Sequence, residues 1–155
     1  MEIHTTIRGT NILKRKLALA DRELNSIGED TIRELAEYTQ ATAQALAPKD
    51  LGMGANGIYS EVSGLHAQVT VDELYMVVMN QGRAPGSAAP PVQALIGWGS
   101  RHGFDTPGDV FVLARSIGRR GIRARRYMEK AAHLARARME VQLGEAKIRV
   151  EKWFI

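Results

Sequence analysis

The run from Ile58 to Val71, IYSEVSGLHAQVTV, alternates with period two on either side of a turn. In its second half Ala67, Val69 and Val71 fall on one face, and His66, Gln68 and Thr70 on the other. Ser63-Gly64-Leu65 supplies a three-residue hairpin loop between strands at 58–62 and 66–71. Most of the remaining chain carries helical spacing, so this hairpin sets the expected class as α+β. The expectation is a small antiparallel sheet packed against a long N-terminal helix, with additional C-terminal helices.

On the N-terminal side of the hairpin lies a glycine-rich loop, residues 49–57. Before it, Leu13, Leu17, Ala20, Leu24 and Ile27 recur at helical intervals, and the stripe resumes at Ile32, Leu35, Ala36, Ala43, Leu46 and Ala47. Ser26-Ile27-Gly28-Glu29 has the form of a capping box. The pattern therefore allows one helix from 11 to 47, or two broken near Gly28. Pro48 stops it either way, because it cannot donate to the ladder and biases Ala47 out of the helical region. Residues 2–7 alternate weakly and read as an edge strand.

On the C-terminal side, Leu74–Met79 suits either a buried strand or a short helix headed by Asp72, and we read it as the helix. Residues 82–91, GRAPGSAAPP, form a contact loop in which Arg83 is the only charge. Pro91 opens a helix ending before Gly103, and Thr106-Pro107 opens another with Val110, Leu113, Ala114 and Ile117 inward. A weakly amphipathic helix follows from about Ile122 to Leu143. The tail alternates through Ile148 and Val150 and ends on Trp153-Phe154-Ile155, which reads as a strand seeking a partner. The expected organisation is a single domain at 1–145 and an inter-subunit arm at 146–155.

With 155 residues, one domain with its own core is the expectation. The 45% hydrophobic and 25% charged content is that of a soluble globular chain, and the 6% aromatic content points to an aliphatic core. The absence of cysteine removes disulfides, thiolate metal sites and cysteine nucleophiles. No signal sequence or membrane span is read from the chain.

Charge is unevenly spread. Between Arg115 and Arg138 lie nine basic residues (Arg115, Arg119, Arg120, Arg123, Arg125, Arg126, Lys130, Arg136, Arg138) against Glu129 alone, a segment of +8 in a chain of +4. Eight of the nine are Arg, whose planar guanidinium suits bidentate pairing at interfaces. They also lack the interleaved Glu at i−4 that would neutralise them within a helix. The segment is read as an interface rather than a solvated face.

Motifs for chemistry are weak. Gly52-Met53-Gly54-Ala55-Asn56-Gly57 matches G-x-G-x-x-G, yet a helix precedes it and a strand follows, the reverse of the order a dinucleotide fingerprint requires. His4, His66, His102 and His133 are scattered, and none has a ligand partner at i+4. Asp72-Glu73 and Glu29-Asp30 are read as acids at helix N-termini. No G-x-S-x-G elbow raises the prospect of a serine hydrolase. No catalytic residue, metal, cofactor or small-molecule substrate is expected.

The order of segments resembles the tail-completion and minor tail proteins of lambda-type tailed bacteriophages. The similarity rests on Ala45-Leu46-Ala47-Pro48 closing the long helix and on Asp50-Leu51-Gly52 after it. It continues with the hairpin ending at Tyr75 and with Asn80-Gln81-Gly82-Arg83 leading into a proline-rich loop. Leu113-Ala114-Arg115-Ser116-Ile117 then precedes Gly121-Ile122-Arg123-Ala124 and Tyr127-Met128-Glu129-Lys130-Ala131-Ala132. It covers most of residues 1–135. Two departures are Asn80, where that family often has Glu, and the Gly- and Trp-bearing interval from Pro91 to Gly103.

The resemblance implies a structural virion protein of the neck, assembled in the host cytoplasm as a self-associating ring, with six subunits expected. Its partners would be neighbouring neck proteins, the tail terminator or tail-tube proteins, with DNA passing through the lumen. The assembly residues expected are Arg83 and Pro85 in the loop and Arg115, Arg119, Arg120, Arg123, Arg125 and Arg126 in the basic segment. Ile148, Val150, Trp153, Phe154 and Ile155 complete the set in the tail. A tail terminator or head-completion stopper is a close alternative, and a small DNA-binding regulator a distant one. Against the regulator, no helix pair has the 3–4-residue turn of a helix-turn-helix, and the basic face lacks base-reading Asn and Gln.

Overall fold

The structure is a computed structural model that describes residues 10–49 and 53–154. The expected strand at 2–7 and the side chains of Trp153, Phe154 and Ile155 lie outside the described residues, as do 50–52. The architecture is α+β: a long N-terminal helix, a two-stranded antiparallel sheet and further helices. The elements are α1 (Thr10–Leu46), α2 (Met53–Asn56), β1 (Ile58–Ser63), β2 (His66–Val71) and α3 (Leu74–Gln81), then α4 (Val92–Arg101), α5 (Pro107–Arg120) and α6 (Tyr127–Phe154). They group into two compact units. The first holds α1 up to Thr42, Tyr59–Thr70 and α6 from Ala132; the second holds Ala43–Ile58 and Val71–Ala131.

In the first unit α1 and α6 run antiparallel, since contacts step down one helix as they step up the other. Arg149 meets Asp30 at 3.4 Å, Gln142 Nε2 donates to Glu34 Oε2 at 3.2 Å, and the Arg138 guanidinium lies 5.8 Å from the centre of the Tyr38 ring. Buried in this unit are Ala20, Ile27, Thr31, Ala36, Ala135 and Gln142. The hairpin lies along α1, with the Ser60 N–H and hydroxyl both donating to Gln40 Oε1. Its tip reaches Gly28, where a Cβ would stand 2.6 Å from Leu65 Cδ2.

That contact settles the open question about α1. The helix is continuous, and Gly28 is a seat for the hairpin tip rather than a break. The capping-box pattern at Ser26–Glu29 is unused, and Glu29-Asp30 sit in mid-helix, not at an N-terminus. Asp30 instead serves the ion pair with Arg149.

The tail is also corrected. Residues 147–154 continue α6 and are not a strand. Ile148 and Val150 suggested period two, but Glu, Ala, Lys and Arg around them are strong helix formers, and no proline interrupts. The i,i+4 pair Lys147–Glu151 at 3.8 Å and the Arg149–Asp30 contact both follow from helical spacing.

The second unit holds the largest fully buried side chains, Tyr127, Ile58 and Met76. Ala43, Ala47, Val110, Ala114 and Ala131 are buried in the same unit. The α5 start is the one read from sequence. Thr106 and Asp109 form a reciprocal capping box, with Pro107 at the first helical position. Leu74–Gln81 is helical, but its N-cap is Glu73, whose side chain makes no capping bond. The last helix begins at Tyr127, five residues later than expected, because 121–126 is a non-helical connector.

Candidate interaction surface

The connector from Gly121 to Arg126 is held by backbone bonds on both sides. Arg83 and Ile122 form an antiparallel bridge, N–H to C=O at 2.8 and 2.9 Å. The amides of Arg125 and Arg126 donate to the carbonyls of Met79 and Asn80, each at 3.0 Å. At Gly121 the chain turns with φ +73°, and a Cβ there would clash with the Arg83 carbonyl oxygen, so only glycine fits.

Arg126 then takes the left-handed conformation, φ +51°, unusual for a non-glycine residue. Its carbonyl accepts the first helical bond of α6, from Lys130 N–H, which makes it the N-cap position. A cap side chain is supplied from elsewhere: buried Asn80, at the end of α3, accepts the Met128 N–H on Oδ1 at 3.0 Å. One turn earlier in α3, the Met76 carbonyl accepts from the buried Tyr127 hydroxyl at 3.0 Å. Burial pushes the Tyr127 pKa above its ordinary value, and the nearby Glu129 and Tyr75 add in the same direction.

This scaffold presents the arginines outward. Arg115, Arg119 and Arg120 on α5, and Arg123, Arg125 and Arg126 on the connector, are all exposed. None makes an ion pair or a side-chain hydrogen bond among the described residues. Arg119 and Arg120 occupy the last turn of α5, where the helix dipole favours cations. That explains their tolerance but not the other four. Counting charges by unit, the second has ten basic and six acidic residues while the first has eleven of each, so the net charge of +4 resides in the second unit, which carries these arginines.

An open groove of about 590 Å³ runs beside the connector, lined by Leu46, Met79, Ile122, Arg123, Ala124, Arg125 and Lys130. Most of its lining surface is polar, and its charged residues, Arg123, Arg125 and Lys130, are all cations.

The other expected interface residues are not brought to this groove. Arg83 is half-buried and folds its own loop, its side chain donating to Ser87 Oγ and the Ala88 carbonyl. Pro85 is exposed, and Gly86 N–H donates to the Gly118 carbonyl at 2.9 Å, tying the loop to α5. Ile148 is 52% exposed and Val150 half-buried, both on α6. Leu46 belongs to the apolar stripe of α1 and Met79 to the apolar run of α3, and spacing alone does not distinguish a buried side chain from a groove wall. Nothing local announces Asn80 as the cap of a helix in another part of the chain.

Residues 53–57 of the G-x-G-x-x-G run form the single turn α2 and lead into β1, so no long helix follows the motif. Trp98 stacks on His102 with ring centres 4.0 Å apart. Among the described residues no three His, Cys, Asp or Glu side chains converge as metal ligands, and no helix is long and apolar enough to cross a membrane. Comparison with protein-family models, with curated proteins and with solved structures returned no match.

Proposed function

We propose that the chain is a structural subunit of a tailed-bacteriophage neck, completing the tail and helping join it to the capsid as one member of a ring. What supports this reading is one observation about the resemblance. Its scattered signature residues meet in a single scaffold: Gly121 permits the Arg83–Ile122 bridge, and Tyr127 and Ala131 are core. The product of that scaffold is a set of exposed arginines whose guanidinium groups have no partner among the described residues. Such a set is costly to concentrate on one surface unless an external partner uses it.

Of the available partners, acidic protein surfaces suit it better than DNA. A neck must let DNA slide, and strong phosphate contacts repeated around a ring would oppose passage. Directional pairing between subunits exploits the planar guanidinium instead.

The test is genetic and structural. In a phage encoding this chain, a nonsense mutation should yield filled heads and finished tails that do not join, and the protein should fractionate with the neck of intact particles. Infectious particles formed without the protein would overturn the reading. Location at the tail end or at the head vertex would separate a terminator from a stopper. Replacing Arg119, Arg120 and Arg123 together with Lys tests the contact type. Loss of joining supports protein contacts, whereas full joining with salt-sensitive DNA affinity favours a DNA-lined lumen.

A further inference from the structure

The two-stranded sheet has one edge in use and one edge open, and we propose that the open edge receives residues 2–7 of a second copy of this chain. The register follows from one bond just beyond the strands, in which Asp72 N–H donates to the Gly57 carbonyl at 3.1 Å. Main-chain groups of an antiparallel ladder point inward and outward at alternate residues. Gln68 and Thr70 of β2 therefore point at β1, and Ala67 and Val69 point away from it. The same count turns Ile58 and Ser60 of β1 outward, and α1 meets them there. Gln44 Nε2 donates to the Ile58 carbonyl and Ser60 N–H donates to Gln40 Oε1, each at 2.8 Å. On the β2 side the main-chain groups of Ala67 and Val69 make no hydrogen bond among the described residues.

An open edge is a template for pairing, which proteins blunt with lysine, proline or a bulge. The β2 sequence HAQVTV has no lysine, arginine, acid or proline, and its six residues face six in β1. Ala67 is exposed and Val69 half-buried, so two donors and two acceptors stand in line along the edge. That row captures an extended segment by strand addition.

The matching strand pattern lies before α1, outside the described residues. In Glu2-Ile3-His4-Thr5-Thr6-Ile7, Ile3, Thr5 and Ile7 alternate with His4 and Thr6, and four of the six residues are β-branched. Its own sheet is beyond its reach. Leu65, at the hairpin tip, lies against Gly28, and the strands run from there toward Gln40, away from Thr10. Gly28 is eighteen residues from Thr10 on an unbroken helix, about 27 Å. The three links from Ile7 to Thr10 span at most about 11 Å. The segment cannot lie along its own β2, whereas the same segment of another copy can. The inference rests on this shortfall in reach and does not use the neck reading.

The experiment follows amide exchange residue by residue in the full chain by NMR, with sedimentation velocity on the same samples. Wild type should associate as its concentration rises through the micromolar range. The Ala67 and Val69 amides should then slow by ~10-fold or more, because only the paired state protects them. Gln68 and Thr70, already paired to β1, should be slow at every concentration. Two full-length variants separate the halves of the contact. Thr5→Pro with Thr6→Pro removes donors from both sides of the segment, and Ala67→Pro removes a donor that points away from β1. Each should abolish the concentration-dependent protection of Val69 and weaken association roughly tenfold. Slow Gln68 and Thr70 amides show in both that the hairpin is intact.

Ala67 and Val69 amides that exchange equally fast at all concentrations overturn the inference. Protection that does not depend on concentration would assign the edge to a segment of the same copy, and sinks it as well. So does protection that survives Thr5→Pro with Thr6→Pro, which would identify a different strand as the occupant. None of these results bears on head–tail joining, so the neck reading keeps its own genetic test.

Discussion

Asn80 is buried at the end of α3 and caps α6 across 48 positions of sequence. Arg126 occupies the N-cap position but has no side-chain oxygen to accept the orphan amides, so the cap must come in trans. Replacing Asn80 with Ala should lower the unfolding free energy by about 1–2 kcal/mol, measured by urea titration, because Met128 N–H loses its acceptor. An unchanged midpoint would show that another acceptor replaces it. Tyr127 makes a second prediction at this scale. Its pKa is raised in the folded state, so the neutral phenol is the form that folding favours. Stability from this group is complete below the unfolded tyrosine value of about 10 and is lost as pH rises through the higher folded value. Tyr127→Phe should cost about 1 kcal/mol near neutrality and flatten that alkaline decline. The comparison is a pair of urea midpoints, at pH 8 and above pH 10.

Among the elements, α6 departs most from the sequence reading. Alternation over a few residues is a weak signal when the same residues also satisfy i,i+4 contacts, as Lys147 with Glu151 does here. A chain truncated before Ala146 should lose helical circular dichroism in proportion to the missing turns, without change in the β signal. Loss of β signal would restore the strand. The Arg149–Asp30 contact is half-exposed on both sides, so its removal should cost at most about 1 kcal/mol. Within α1, the rule that glycine marks a break failed at Gly28. The residue is placed there by a neighbour, the Leu65 tip of the hairpin, which only the fold brings near.

For the molecule as a whole, the charge distribution separates stability from function. The guanidinium groups of the exposed arginines of α5 and the connector bond to nothing described within the chain, so folding does not depend on guanidinium geometry. Replacing Arg119, Arg120 and Arg123 with Lys should leave the unfolding free energy unchanged within about 0.5 kcal/mol, by the same urea measurement. A larger loss would mean that these side chains act inside the protein, and the interface reading would lose its footing.

The chain by itself determined the α+β class, the hairpin, the stop at Pro48, the α5 capping box and the concentration of arginine. Each is local, readable from period, turn residues or charge within a few turns of chain. Only the tertiary structure decided that α1 is unbroken, that the tail is helical, that Arg83 works inside its own loop and that Asn80 caps α6. It alone showed Leu46 and Met79 as walls of a groove. Those outcomes depend on which residues distant in sequence approach within a few ångströms, and periodicity carries no information about that. A stripe of apolar residues states that a face seeks cover; where the cover comes from is fixed by packing.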